Sequence, residues 1–303
     1  MHLGVKVGPT GWREVLGQSQ AQYCEVWYRL DWADKFIPIF KYLNRHSIHF
    51  GLHFWAQLPG GFEPNLAWEA DGIADLSQQV VLQTIDTAAQ VGAAYVNIHP
   101  GSLTLKKLYL DEERMERVGE KAIPENQAWQ SLDRRTHTLH EYAQSRGVLF
   151  LVETLPKNDL TQWHDISTGR LNPQPTANIS PNLILKLAQA GRWITNDFGH
   201  TACAWETTDP NWLWHQVYAV SRQLASQTRL IHLNTVHPPF NGTDSHGGVL
   251  PEDFAAGVFP NRDQIIQLLR LYRDRDDVWI IPEPPAELMV QNYHAIQDLL
   301  KLV

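Results

Sequence analysis

Short runs of apolar and β-branched residues recur along the whole chain. Nearly continuous apolar runs are typical of buried parallel strands, because both faces of such a strand are covered. The pattern predicts eight strands, namely Val5–Gly8, Cys24–Tyr28, Ile48–Trp55, Tyr95–His99, Val148–Glu153, Trp193–Asp197, Leu230–Leu233 and Val278–Pro282.

Segments with helical spacing of apolar residues separate these runs. They are Gly11–Ala21 (a weaker pattern), Trp32–Arg45, Leu76–Gly92, Ala128–Arg146, Asn182–Ala190, Trp212–Gln227, Asp263–Arg273 and Ala286–Leu300. Eight strand–helix pairs in succession predict an α/β protein, a single (β/α)8 TIM barrel that spans residues 1–303 as one domain. An open doubly wound sheet is the alternative. Such a sheet usually carries a glycine-rich phosphate turn after its first strand, and the VGPTGW segment is a poor match.

The loops of the predicted barrel differ in length at its two ends. Turns from helix to strand are only a few residues long, as at Arg45–Ser47. The loops from strand to helix are long, notably Phe54–Gly72, Pro100–Ile123, Thr154–Ile179 and Asn234–Pro260. Since barrel enzymes build their sites from the strand-to-helix loops, the working face is predicted at the C-terminal ends of the strands.

Four acidic or imidazole side chains end the fifth to eighth predicted strands: Glu153, Asp197, His232 and Glu283. Neighbouring strand ends of a barrel converge on one mouth, where uncompensated carboxylates would repel one another and lose their hydration. A divalent cation relieves both costs. A salt-bridge network with Lys or Arg is the alternative, but basic residues are scarce at the strand ends, which favours a metal site.

Two further histidines end predicted strands. His99, in a His-Pro-Gly segment, ends the fourth strand next to the strand of Glu153. On the third strand His49 and His53 share one face, and His53 lies nearer the C-terminal exit. We therefore interpret His99 and His53 as additional metal ligands, with His49 as a competitor for the position of His53.

Local pairs of carboxylate and imidazole complete the set. Asp197-x-x-His200 and Asp244-x-His246 combine oxygen and nitrogen donors that suit zinc or manganese. Because Asp244 and His246 lie in the glycine-rich segment Phe240–Gly248, a simple role as turn residues is the alternative for that pair.

In these motifs the sequence resembles the xylose isomerase-like barrels, which include endonuclease IV. The endonuclease IV pattern is a His, then His-Pro-Gly, Glu-Thr, Asp-x-x-His, His-x-Asn, Asp-x-His and a final Glu. It falls in order on His53, His99, Glu153, Asp197 with His200, His232, Asp244 with His246, and Glu283. The resemblance implies up to three zinc ions. They would be held by His53, His99 and Glu153, by Glu153, Asp197, His232 and Glu283, and by His200, Asp244 and His246. Manganese or magnesium is the alternative metal.

The charge pattern argues against DNA as a substrate. The formal net charge is −8, and neither Phe54–Gly72 nor Asn234–Pro260 contains Lys or Arg. In Pro100–Ile123 the basic residues are interleaved with acidic ones, which is typical of a solvated face rather than a phosphate track. We therefore expect a small-molecule substrate, a sugar or a phosphoester.

Three functions are consistent with this set of residues. A hydrolase is favoured, in which a metal-bridged hydroxide attacks a small phosphoester and Glu153 bridges two ions. The alternative is a sugar or sugar-phosphate isomerase or epimerase, in which one divalent metal polarises the substrate and Glu153 or Glu283 takes a proton. By resemblance, sugar epimerases carry an acid soon after the first Glu, where Asp159 is a candidate. They also carry an Arg shortly after the strand-seven His, whereas the next Arg here is Arg262. The third is a non-catalytic ligand-binding barrel, against which the complete ligand set argues.

Aromatic residues and cysteines add less to the functional prediction. Four tryptophans follow strand ends and serve either to stack on a sugar ring or to pack loops onto the barrel: Trp55, Trp68, Trp163 and Trp205. Two cysteines and the lack of a long apolar segment or secretion signal predict a cytoplasmic protein without a membrane span. The sequence does not predict the oligomeric state.

Overall fold

The computed structural model describes residues 1–109, 112, 114–159 and 176–303. In chain order its strands are β1 (His2–Leu3), β2 (Val5–Val7), β3 (Tyr23–Arg29), β4 (His49–Trp55), β5 (Tyr95–Ile98), β6 (Leu105–Tyr109), β7 (Arg114–Val118), β8 (Leu149–Glu153), β9 (Trp193–Asp197), β10 (Thr228–Leu233) and β11 (Trp279–Pro282). Nine of them form one parallel sheet in the order β1-β11-β10-β9-β8-β5-β4-β3-β2. The predicted barrel is confirmed.

The sheet nearly closes on itself at the start of the chain. Its two edge strands, β1 and β2, are consecutive in sequence and separated only by Gly4. β1 pairs with β11, and β2 pairs with β3. A Cβ atom at Gly4 would lie 2.6 Å from the carbonyl oxygen of Tyr23, so glycine lets the chain pass between its two neighbours.

Helices surround the sheet, as the apolar periodicity predicts. They are α1 (Trp12–Ser19), α2 (Ala33–Arg45), α3 (Ile73–Val91), α4 (Glu125–Ser145), α5 (Pro181–Gln189), α6 (Phe198–Ala202), α7 (Pro210–Leu224), α8 (Pro251–Ala255), α9 (Arg262–Leu269) and α10 (Met289–Leu300). The main apolar core lies between sheet and helices, where residues such as Ile85 of α3 and Val96 of β5 are fully buried. Among the described residues, no helix combines the length and apolarity that a membrane crossing requires.

The long loop after β5 contains a structure that the sequence does not predict. β6 and β7 pair there as an antiparallel hairpin. The prediction of a solvated basic face is wrong for Lys106, which is 5% exposed. Its Nζ lies 2.5 Å from Glu63 Oε2 and 2.8 Å from Asp159 Oδ2. The hairpin turns this lysine inward, where two loops supply carboxylates that offset its desolvation.

Candidate metal centre

All nine predicted ligands come together at the C-terminal ends of the barrel strands. Their ligand atoms form three groups, and within each group the atoms lie within 4.8 Å of one another. We name them by their members: the first group (His53, His99, Glu153), the quartet (Glu153, Asp197, His232, Glu283) and the third group (His200, Asp244, His246). The parallel register brings these side chains together, because it pairs His232 with Asp197 and His53 with Asn97 on adjacent strands.

Glu153 lies at the middle of the arrangement and is completely buried. Its Oε1 is 3.0 Å from His232 Nδ1, and its Oε2 is 3.5 Å from His99 Nε2. The amide nitrogen of Asn97 donates to Glu153 Oε2 at 2.5 Å, and Thr195 in turn donates to Asn97 Oδ1 at 2.7 Å. These two hydrogen bonds hold the carboxylate so that it faces both the first group and the quartet.

The quartet is the most enclosed of the three groups. Glu153, Asp197 and His232 are 0% exposed, and Glu283 is 5% exposed. His232 Nδ1 lies 3.3 Å from Glu283 Oε1 and 3.8 Å from Asp197 Oδ2. Three carboxylates and one imidazole at these distances form a donor set that suits a divalent cation with mixed oxygen and nitrogen ligands.

The third group combines turn residues with candidate ligands. Asp244 Oδ1 accepts a hydrogen bond from the backbone nitrogen of His246, which has a φ of 45°. Asp244 Oδ2 lies 2.9 Å from His246 Nε2 and 3.4 Å from His200 Nε2. The turn role and the ligand role are therefore compatible, since each uses a different oxygen of the same carboxylate.

Several buried donor atoms lack a hydrogen-bond partner and face these groups. In the described part of the chain they include His53 Nε2 and His99 Nε2. Unpaired buried polar atoms are costly, and their occurrence at convergent imidazoles and carboxylates indicates an external partner. The residues present fit a divalent cation, and those that open to the mouth also fit hydroxyl groups of a substrate.

Protonation at the centre reflects burial and the excess of carboxylates. Burial lowers the pKa of the His99 imidazole to about 4, which keeps its nitrogens available to bind a cation at neutral pH. Burial, reinforced by Glu283 and Glu153, raises the pKa of the Asp197 carboxyl to about 7. Burial disfavours the charged form of His246, but the Asp244 carboxylate outweighs that cost and raises the pKa of His246 to about 9. The centre therefore attracts positive charge.

Two charged residues of the centre were not predicted from the sequence. Glu25 on β3 is 0% exposed, and Lys6 on β2 is its register partner. Lys6 Nζ lies 3.3 Å from Glu25 Oε1 and also forms an ion pair with Glu283. The salt-bridge alternative thus applies in part. The available signal was a charged residue flanked by apolar residues within each of the first two strands.

The competing histidine and the aromatic residues have distinct positions. His49 is exposed and stacks on Tyr23 with ring centroids 5.3 Å apart, so His53 is the histidine of this strand that reaches the centre. Trp55 lines a small pocket beside His99 and Glu63. Trp68 is buried in a loop core, where it packs as a plug, and Trp205 packs against Trp212. Trp163 lies outside the described residues.

The two residues suggested for an epimerase have other surroundings. Asp159 is engaged by Lys106 and accepts a hydrogen bond from Asn178 Nδ2 at 2.9 Å. Arg262 is exposed at the first position of α9. Neither residue belongs to the three ligand groups described above.

The sequence matches no protein-family model and no curated protein. Solved structures with the same fold include a D-tagatose 3-epimerase-like protein (16% identity, 100% of this chain and 98% of that chain covered, TM-score 0.67). They also include an L-ribulose 3-epimerase (16% identity, 99% and 95% covered, TM-score 0.64). Endonuclease IV from Thermus thermophilus is similar as well (16% identity, 100% of both chains covered, TM-score 0.59). The chain shares the fold of these xylose isomerase-like TIM barrels, as its motifs predict.

Proposed function

We propose that this protein is a metal-dependent enzyme that isomerises or epimerises a small sugar-like substrate. One observation carries the proposal: the quartet places two glutamates, an aspartate and a histidine around one enclosed point, with their ligand atoms within 4.8 Å of one another. A divalent ion at that point, manganese, magnesium or zinc, would polarise a carbonyl and an adjacent hydroxyl of the substrate when bound.

The two glutamates of the quartet are suited to move a proton on and off carbon. Glu153 and Glu283 come from strands β8 and β11, with Asp197 and His232 on the two strands between them. One glutamate, as the carboxylate, would remove the proton from the carbon next to the carbonyl. The other, protonated from solvent, would return a proton to the opposite face of that carbon and so invert it, and the first glutamate would then lose its proton to water. Return of the proton to the neighbouring carbon, with transfer of the hydroxyl proton to the former carbonyl oxygen, would move the carbonyl instead.

The open groups at the mouth would bind the substrate. The side chains of His99 and His246 are 28% and 40% exposed, in contrast to the enclosed quartet. Their imidazoles are placed to hydrogen-bond with hydroxyl groups, and Trp55 beside His99 offers a ring face for stacking. In this assignment His246 binds the substrate. Arg262, the next arginine after the strand-seven histidine, is exposed on α9 and does not take that role.

A hydrolase of a small phosphoester is the second candidate, and the third group is the observation that favours it. His200, Asp244 and His246 form a compact donor set that suits zinc, with Asp244 Oδ2 2.9 Å from His246 Nε2 and 3.4 Å from His200 Nε2. In that case the first and third groups hold ions as well, and Glu153 lies between two of them. The sequence motifs favour this function, whereas two of the three named structural neighbours are described as epimerases or epimerase-like.

Solvent-deuterium exchange distinguishes the candidates. The protein is reconstituted with Mn²⁺, Mg²⁺ or Zn²⁺ and incubated in deuterated water with a panel of keto-sugars, and in parallel with phosphoesters. The proposal predicts deuterium at the carbon next to the carbonyl, together with a new sugar isomer.

Phosphate release without exchange would favour the hydrolase. Tight metal binding without turnover of either class would overturn both candidates and favour a ligand-binding barrel. Asp197→Asn, which removes a quartet charge, is the control.

A further inference from the structure

A fourth set of potential ligands lies beneath the quartet. Ligand atoms of Glu25, His53, His232 and Glu283 also lie within 4.8 Å of one another. This position already has a cation, because Lys6 Nζ is 2.6 Å from His53 Nδ1, 3.3 Å from Glu25 Oε1 and in an ion pair with Glu283. Glu25 therefore needs a different explanation from that of a metal ligand.

Glu25 contacts two histidines, each on the ring nitrogen that faces away from the mouth. Of the His232 ring, Nδ1 is 3.0 Å from Glu153, while Nε2 is 3.0 Å from Glu25 Oε1 and 3.2 Å from Glu25 Oε2. Of the His53 ring, Nε2 is 3.5 Å from Glu153 Oε2, while Nδ1 is 3.4 Å from Glu25 Oε1. The His232 imidazole thus lies between two carboxylates, with Nδ1 toward Glu153 and Nε2 toward Glu25.

This geometry matters because a neutral imidazole binds a metal through one nitrogen and carries its proton on the other. A carboxylate that accepts a hydrogen bond from this N–H group fixes the tautomer and the ring orientation, and makes the metal-binding nitrogen more basic. For His232 the nitrogen free to bind is then Nδ1, which faces the quartet. His53 differs, because its Nδ1 lies 2.6 Å from Lys6 Nζ and accepts from that ammonium group, which leaves the ring proton on Nε2.

The carboxylate of Glu25 is itself held in place. The hydroxyl of Tyr95 donates to its Oε2 at 2.9 Å, and the ammonium group of Lys6 offsets its charge. Glu25 can therefore accept from His232 Nε2 without leaving an uncompensated negative charge in the barrel.

We propose that Glu25 is a positioning residue, which orients His232 toward the quartet, with Lys6 as its counter-charge. The inference rests on the proposed metal binding but not on the reaction class, because the quartet ion belongs to both candidate functions. It assigns a role to a carboxylate that contacts neither the substrate nor the ion.

Mn²⁺ titration followed by electron paramagnetic resonance tests this role, because free Mn²⁺ is measured directly. The Asp197→Asn variant identifies the quartet ion, which is the ion that this variant no longer binds. Glu25→Gln is expected to weaken that ion by about 10–100-fold. Glu69→Gln makes the same chemical change on a loop outside the centre and is expected to leave the affinity unchanged. In the Zn²⁺-loaded protein, the ¹⁵N signals of His232 should show the proton on Nε2, and Glu25→Gln should shift them.

The double variant Lys6→Met with Glu25→Gln guards against a trivial loss of folding, because it removes one positive and one negative charge together, and Glu283 keeps His232 as a partner. The same loss of affinity in this folded variant supports the proposal. Wild-type affinity and unshifted ¹⁵N signals in both variants would overturn the role of Glu25 alone. Failure of the wild-type protein to bind any Mn²⁺ or Zn²⁺ would overturn the proposed function, and the role of Glu25 with it.

Discussion

A Cβ atom on Gly51 would lie 2.2 Å from Cζ of Tyr95. The Tyr95 ring therefore occupies the space that a side chain at position 51 would need. The ring is 2% exposed and carries the hydroxyl that donates to Glu25. The absence of a side chain at Gly51 on β4 thus leaves room for the Tyr95 ring, whose hydrogen bond holds the Glu25 carboxylate in place.

Gly51→Ala is therefore expected to destabilise the protein by about 1–3 kcal/mol, the usual cost of overpacking a well-packed core. Chemical denaturation measures the change. Gly17→Ala is the matched control, because its Cβ would meet no atom within 4 Å in the exposed part of α1. The control should raise stability by about 0.5–1 kcal/mol through helix propensity. Equal effects at the two positions would contradict the packing of Tyr95 against Gly51.

Acid stability should depend on a network that ties the loop after β4 to α4. A hydrogen bond from Arg135, strengthened by Ser131 and Arg134, lowers the pKa of Glu69 to about 2 from its ordinary 4.5. A lowered carboxyl pKa contributes stability above about pH 4.5 that is lost as the pH falls toward 2.

Glu69→Gln should accordingly lower the Tm at pH 7, and the difference from the wild-type protein should shrink as the pH falls to about 2. Glu120→Gln, at an exposed position, is the control and should track the wild-type protein throughout. A difference between Glu69→Gln and wild type that is independent of pH would show that the carboxylate charge is not the source of the effect. Thermal unfolding in a series of buffers provides the measurement.

The third group discriminates between substrate binding and metal binding. Asp244→Asn keeps a side-chain oxygen for the turn at His246 but removes the charge that faces His200 and His246. If this group binds substrate hydroxyls, as we propose, KM should rise about 10-fold or more, since hydrogen bonds with charged partners contribute about 1.5–3 kcal/mol.

The metal content of Asp244→Asn should then equal that of the wild-type protein, as measured by elemental analysis after gel filtration. Loss of one ion per chain, together with a fall in kcat, would instead support the hydrolase. The KM of the variant thus tests whether the third group binds substrate, and its metal content tests whether the same group binds an ion.

The barrel and the convergence of nine residues at its mouth could be predicted from local patterns. An apolar run followed by a carboxylate or a histidine indicates a strand end, and barrel geometry makes neighbouring strand ends converge. His200, Asp244 and His246 follow instead from local carboxylate–imidazole pairs and from the resemblance to the endonuclease IV pattern. Glu25 and Lys6 lack that signal, because they lie within strands and their inward orientation depends on the register between β2 and β3. The buried position of Lys106 depends in turn on carboxylates from two other loops, which no local pattern reveals.

The metal content of the protein tests the central claim most directly. Wild type and Glu153→Gln are loaded with Mn²⁺ or Zn²⁺, separated from free ions by gel filtration and measured by elemental analysis. Because Glu153 belongs to both the quartet and the first group, we predict at least one ion retained per wild-type chain and fewer ions in the variant. A wild-type protein that retains none, or a variant with the same metal content as wild type, would contradict the account.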